Sequence, residues 1–336
     1  MANMNDVARE ANVSRGTVSN YLNKNKVRPE AARRIEAAIS KLHYVRNATA
    51  RELRTQRSNY VVFIVPTVWT PFFAELTYDI QAALQALEYK MILCISNSNY
   101  DEEKEYVDMA NEQKVAGIIS ISYSQLNDYV DPHMPLVSIE KEPTGHFPLV
   151  SSDNYAGGRM AAEELDQRGC KRLIFIGSKH LASDAMKARQ AGFTDYCQEL
   201  HCNFSIYHFA SGRHIQDFRN EARDLLQQLR NGADAKNIGI ATSTDEYALE
   251  IFRIAEDMKM SVPEHFQLIG FDGGKISAND QPFLSSIRQP VKQIADAAVA
   301  EFNKLAENKT SVEVPRIMLP VSFYEGKTTK RIVSNQ

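Results

Sequence analysis

The four cysteines and eight histidines of the chain are its best candidates for nucleophilic, redox, metal-binding or proton-transfer chemistry, and their spacing supports none of these. Cys94, Cys170, Cys197 and Cys202 form no Cys-x-x-Cys pair, so they read as reduced thiols rather than as disulfide halves or zinc ligands. His201, His208 and His214 have no spacing that sets them on one face with acidic partners. There is no Gly-x-Ser-x-Gly elbow, no Walker-type loop, no Gly-x-Gly-x-x-Gly after a strand and no His-Glu-x-x-His pair. The expectation is a chain with no catalytic centre, no metal and no cofactor.

The charges are more informative. Residues 1–60 hold 12 Lys and Arg against 5 Asp and Glu, a net +7, while the remainder holds 27 against 37, a net −10. A basic head on an acidic body is the distribution of a nucleic-acid binder with a separate regulatory domain.

The elements that would position those charges are short. Val7, Ala8 and Ala11 give a first small helix, Asn12 suits the left-handed backbone of a tight turn, and Ser14 is a good N-cap for a second helix carrying Thr17, Val18 and Leu22. Pro29 fits the first position of a third helix, whose Ile35, Ala38, Ile39 and Leu42 share one face and close a miniature core.

The run DVAREANVSRGTVSNYLN, followed by RIEAAISKLHYVRNATARELR, resembles the DNA-binding head of the lactose-repressor/galactose-repressor (LacI/GalR) family of bacterial regulators. The resemblance implies a helix-turn-helix domain over 1–46 and a hinge helix or linker over 47–57. An effector-binding and dimerisation domain would then cover 58–336. It places the second helix in the major groove of operator DNA, with Arg15, Gly16 and Asn20 at base-reading positions. Arg15 suits guanine and Asn20 suits adenine. Ser14, Thr17, Ser19 and Asn23 would touch phosphates or cap helices. In the hinge, Asn47 would be the N-cap, Ala50 the close-contact position and Leu53 the wedge that opens a minor-groove step.

From Tyr60 onward, apolar runs alternate with amphipathic stretches. YVVFIVP (60–66), MILCIS (91–96), AGIISIS (116–122) and PLVSIE (135–140) read as buried parallel strands. RLIFIG (172–177), FSIYHF (204–209), NIGIAT (237–242) and FQLIGF (266–271) form a second series. Helices are expected near 72–88, 101–114, 155–168, 187–200, 215–230 and 246–258. Two successive open α/β sheets follow, and ligands bind outside the carboxyl ends of such strands.

This is a two-lobed, periplasmic-binding-protein-like architecture, which the sensing domain of the same family resembles. The resemblance is carried by SSDNYAGGRMAAEEL (151–165), RQAGF (189–193), STDEYAL (243–249), LIGFDG (268–273) and FLSSIRQP (283–290). It implies one lobe over about 58–156 and 288–318, and a second over about 157–287 and 319–332. Arg189, Asp272 and Asp153 or Asn154 would contact the effector, with Thr244 beside them and Phe73 as an apolar wall. Such a set suits a sugar, because carboxylate and guanidinium complement neighbouring hydroxyls.

The functional expectation is therefore a cytoplasmic, homodimeric repressor of operator DNA, regulated by a small sugar-like effector. No stretch reaches membrane-span length, and the start MANMNDVARE has no signal-peptide core. The dimer would form along the first lobes, near 72–88 and 91–122. The C-terminal stretch carries no leucine heptad, which favours a dimer over a tetramer. Two alternatives stay open: a regulator co-repressed by a purine or a phosphorylated carrier protein, and a cytosolic sugar-processing enzyme.

Overall fold

The computed structural model describes residues 2–22, 25–44, 58–122, 129–131, 133–142, 147–179, 183–210, 215–231, 237–277, 279, 282–307 and 314–332. It divides into two compact units, Met1–Ser58 and Asn59–Gln336.

The small unit is built on α1 (Met4–Glu10), α2 (Arg15–Leu22) and α3 (Pro29–Lys41). Asn3 caps α1, accepting from the Asn5 and Asp6 N–H groups, while the Asp6 carboxylate accepts from the Asn3 N–H. Asn12 takes the turn at φ 51°, and the Ser14 hydroxyl accepts from the Thr17 N–H at 3.1 Å. Val7, Ala11, Val18 and Ile35 are buried together as a core. This cluster fixes which face of α2 points outward.

The large unit holds two six-stranded sheets. β1 (Tyr60–Val65), β2 (Lys90–Ile95), β3 (Gly117–Ser120), β4 (Leu136–Ile139), β5 (Leu149–Ser152) and β11 (Arg316–Leu319) form the first, in the order β11-β5-β4-β3-β1-β2. The second joins β6 (Arg172–Ser178), β7 (Asn203–Phe209), β8 (Ile238–Thr242), β9 (Phe266–Asp272), β10 (Ser285–Arg288) and β12 (Ser322–Tyr324), in the order β12-β10-β9-β8-β6-β7. All pairings are parallel except β10 with β12.

Alternation along β1 explains how the first sheet is covered on both faces. Val61, Phe63 and Val65 pack with α4 (Pro71–Ala86) and α10 (Val291–Ala306), whereas Val62 and Ile64 pack with α5 (Tyr100–Glu112). In the second sheet, Ile174 and Ile176 lie with α8 (Ile215–Asn231) and α9 (Asp245–Asp257). Leu173 and Phe175 lie with α6 (Asn154–Gln167) and α7 (Asp184–Glu199).

The chain changes sheets three times: between Ser152 and Asn154, between Arg288 and Val291, and between Leu319 and Ser322. These crossings lie close together, since the Asp153 N–H donates to the Leu319 carbonyl at 2.8 Å and the Ser152 hydroxyl donates to Gln289 Oε1 at 2.8 Å. They also sit at the carboxyl ends of their strands. Each sheet reverses strand order beside its first strand, which is where open α/β sheets leave a crevice.

Candidate functional site

In the small unit, α2 buries Val18 and exposes Arg15, Gly16 and Asn20; Ser14 is exposed as well, and Thr17 and Ser19 are half-buried. The Ser14 and Thr17 hydroxyls lie 2.8 Å apart, so both work for the helix start. A methyl group added at Gly16 would meet only the Ser14 hydroxyl, at 3.7 Å. Asn23, Asn47, Ala50 and Leu53 lie outside the described residues.

The large unit brings three of the six residues expected at the effector site into one bonded group. Arg189, 4% exposed, donates from Nε to Asn154 Oδ1 at 2.7 Å. Its Nη1 reaches the Ser243 carbonyl at 2.7 Å and Asp272 Oδ1 at 3.4 Å. The guanidinium also stacks on Phe271, 3.7 Å from the ring centroid.

Glycine makes this geometry possible. α6 and α7 touch so closely that a Cβ at Gly158 would lie 1.9 Å from the Arg189 carbonyl oxygen, and one at Gly192 would lie 2.0 Å from that of Tyr155. The two helices could not bring Asn154 to Arg189 with larger residues at those positions.

The group extends through residues that sequence reasoning missed. Asn154 Nδ2 donates to Glu140 Oε2 at 2.7 Å, and Glu140 Oε1 accepts from the Ser152 N–H at 2.6 Å. Gln289 Nε2 donates to Asp272 Oδ1 at 2.7 Å. Asp245 accepts from the Ser286 hydroxyl at 2.6 Å and the Gly273 N–H at 2.8 Å. Arg288 makes a two-pronged ion pair with Glu75 of α4, and also donates to the Gly273 carbonyl at 2.7 Å. The end of each sheet is thus tied to the other through side chains.

The other three expected residues have separate roles. Asp153 caps α6, accepting from the Ala156 N–H at 2.9 Å, and Thr244 caps α9. Phe73 packs half-buried against the first-sheet core, edge-on to Phe72 at 5.1 Å. Phe72, rather than Phe73, lines the neighbouring cavity of about 350 Å³, whose wall also includes Leu249, Phe283, Asp245 and Asp272.

The electrostatics are those of a crowded acidic site. Burial pushes Asp272 up to about 6, against the pull of Arg189 and Gln289. Burial, reinforced by the Asp272 charge, pushes Asp245 up to about 8. Glu103 is raised by burial too, with partial relief from the Ser122 and Ser96 hydroxyls that donate to it at 2.6 and 3.0 Å. Backbone strain marks the same strand ends: Glu140 has φ 60° and Asp272 φ 118°. Non-glycine residues held there cost about 1–3 kcal/mol each.

Comparison with known proteins decides the family. The model for bacterial regulatory proteins of the lacI family matches residues 3–47, and that for a periplasmic binding protein-like domain matches 162–329. The chain is 31% identical to the sucrose operon repressor of Streptococcus mutans over 331 residues, covering 98% of this chain and 99% of that one. It is 30% identical to the ribose operon repressor of Bacillus subtilis, covering 98% and 99%.

The chain belongs to the LacI family.

Among solved structures, its fold is similar to that of the Lac repressor dimer bound to operator and an anti-inducer. The TM-score is 0.83 at 18% identity, covering 98% of this chain and 99% of that one. A regulator from Alkaliphilus metalliredigens complexed with D-xylulofuranose matches at a TM-score of 0.72 and 27% identity, covering 82% of this chain and 100% of that one. This LacI-family chain is accordingly a DNA-binding transcriptional regulator with a periplasmic-binding-like effector domain, and not a catalytic enzyme. Among the described residues no helix is long and apolar enough to cross a membrane, and no cluster of three His, Cys, Asp or Glu is placed to hold a metal.

Proposed function

We propose that the chain is a repressor whose operator affinity is set by a small sugar seated among Arg189, Asn154 and Asp272. The observation that carries this reading is the bonded group itself. Arg189 contacts Asp272 at the end of β9 and Asn154, which in turn donates to Glu140 just after β4, so a ligand that exchanges hydrogen bonds with these groups acts on both sheets at once. A solute that prefers one arrangement of the lobes over another shifts the population between them. The sucrose and ribose operon repressors, by their names, point to the same chemistry.

Arg15 and Asn20 read base edges in this proposal, with Gly16 admitting the duplex closely. Ser14, Thr17, Ser19 and Asn23 hold the phosphates. Asn47, Ala50 and Leu53 supply the hinge that inserts in the minor groove. Two heads on a palindrome require a homodimer. The first-lobe face fits that role, because Tyr78 within α4 is 75% exposed and Leu93 on the edge strand β2 is 39% exposed. The fold neighbour captured on operator is itself a dimer.

The test uses the full chain, duplexes from the promoter region of its own gene, and a panel of sugars screened by thermal shift. A sugar that raises the melting temperature should also weaken specific duplex binding, and that binding should fall steeply with salt. Equal affinity for the promoter duplex and a random one would remove the proposal.

A further inference from the structure

Cys197 and Cys202 belong to none of the sites above, yet the fold brings them together. α7 ends in a Schellman motif: the Cys202 N–H donates to the Cys197 carbonyl at 2.8 Å and the His201 N–H to the Gln198 carbonyl at 3.2 Å, with His201 in the left-handed position at φ 52°. Such a motif sets two side chains against each other, one three residues before the cap and one two residues past it. Other helices of this chain fill the two places with an apolar pair: Leu84 with Tyr89, Ala110 with Val115, and Ala255 with Met260. At α7 both places are cysteine.

We propose that Cys197 and Cys202 form a modification site that takes the two oxidising equivalents of a hydroperoxide and stores them as a reversible disulfide. Both are free thiols, Cys197 buried and Cys202 half-buried in one core cluster, and they are hydrogen-bonded to each other. Closure therefore joins sulfurs that are already in contact.

The surroundings decide which oxidation product is tolerated. Burial pushes Cys197 up to about 12 and Cys202 upward as well, and the Asp166 carboxylate, which accepts from the Tyr196 hydroxyl at 3.2 Å, raises both further. The last turn of α7 adds the negative end of its helix dipole. Anionic sulfur is disfavoured here, as thiolate or as sulfinate, whereas a disulfide carries no charge. The pair is accordingly slow to react and fills only under a high peroxide load.

Cys202, the more exposed of the two, reacts first. Its sulfur attacks one oxygen of hydrogen peroxide, the O–O bond breaks, and the departing hydroxide leaves as water with the thiol proton. The Cys197 sulfur then attacks the sulfenic sulfur of Cys202, the S–O bond breaks, and the hydroxyl leaves as a second water with the Cys197 proton. Two thiols lose two electrons and one peroxide becomes two waters. Cys197 thereby spares Cys202 the irreversible step to sulfinic acid. The helix so protected is the one that carries Arg189 and Gly192.

The test exposes the full chain to millimolar hydrogen peroxide, alkylates the remaining thiols under denaturing conditions and weighs the tryptic peptide 190–213, which holds both cysteines. That peptide should lose the mass of two hydrogen atoms, take up no alkylating agent and regain both thiols with dithiothreitol, while Cys94 and Cys170 remain alkylated. Oxygen addition at Cys202, a link to Cys94 or Cys170, or two unchanged thiols would each overturn the proposal, and all three are read on the parent chain. In the Cys197→Ala variant, with thermal melting as the check on folding, Cys202 should instead gain oxygen atoms that dithiothreitol does not remove. A Cys202 that stays a thiol in that folded variant would contradict the order of steps.

Discussion

In the proposed function the exposed face of α2 and the buried group around Arg189 each meet a partner, and they do so from opposite starting points. Arg15 and Asn20 stand in solvent on a helix whose stability comes from Val18 and the miniature core behind it. Arg189 is bonded to both Asn154 and Asp272, which reach the first and second chain crossings through Ser152 and Gln289, so the proposed ligand contacts are also contacts that hold the effector domain together. Recognition and folding are separable in the head, whereas in the body they are one problem. A partner of the head desolvates groups that were free, while a ligand in the body must exchange with hydrogen bonds that Arg189, Asn154 and Asp272 already make.

The strongest way to break this contrast is Arg189→Ala. Removing one partner of a buried charged network should cost about 3–5 kcal/mol of stability, read as a fall in the denaturation midpoint, together with loss of sugar binding. A fully stable Arg189→Ala protein would show that the group is not what holds the lobes. Gly158→Ala comes next. Its methyl group would have to displace the Arg189 backbone, and overpacking of this kind costs about 1–3 kcal/mol, so chemical denaturation should report it and sugar affinity should fall as well.

Arg15→Ala sharpens the other side. Its melting temperature should match the parent, since exposed substitutions stay within about 0.5 kcal/mol, but operator affinity should drop by the roughly 1–3 kcal/mol of a bidentate base contact. Anisotropy measurements on specific and random duplexes would show the loss confined to the specific one.

The pH dependence of the body is a further test. Asp245 and Asp272 have folded values raised above 3.8, to about 8 and about 6, so the folded state binds more protons than the unfolded one between those limits. Their contribution is complete below the unfolded value and is lost as pH rises through the folded ones. Thermal melting should therefore show the effector domain losing stability from pH 5 to pH 8, and Asp245→Asn should flatten the slope.

Much of the architecture was legible because both sheets are buried on two faces, which leaves continuous apolar runs such as YVVFIV and FQLIGF. The strands β5 (LVSS), β10 (SSIR) and β11 (RIML) lack a continuous apolar run, and the helix over 291–306 goes unread although Val291, Ile294, Ala298 and Phe302 fall at helical spacing. Arg189, Asn154 and Asp272 came from family-like motifs. Gln289 and Ser243 lie within the runs FLSSIRQP and STDEYAL but nothing local marks them for a role, and Glu140 is one polar residue closing the apolar run PLVSIE. Their importance comes from topology: Ser152 meets Gln289 across 137 positions of sequence, a distance that no local pattern spans. The neighbouring Phe72 and Phe73 show the same limit, since only the fold decides which ring lines the cavity.

The central claim is that occupancy of the buried group governs the exposed face of α2. It is tested most directly by titrating promoter duplex with the full chain in the absence and presence of a saturating sugar whose binding calorimetry has already established. The account predicts at least a tenfold loss of specific affinity on saturation. Identical duplex affinity with the site filled would contradict it.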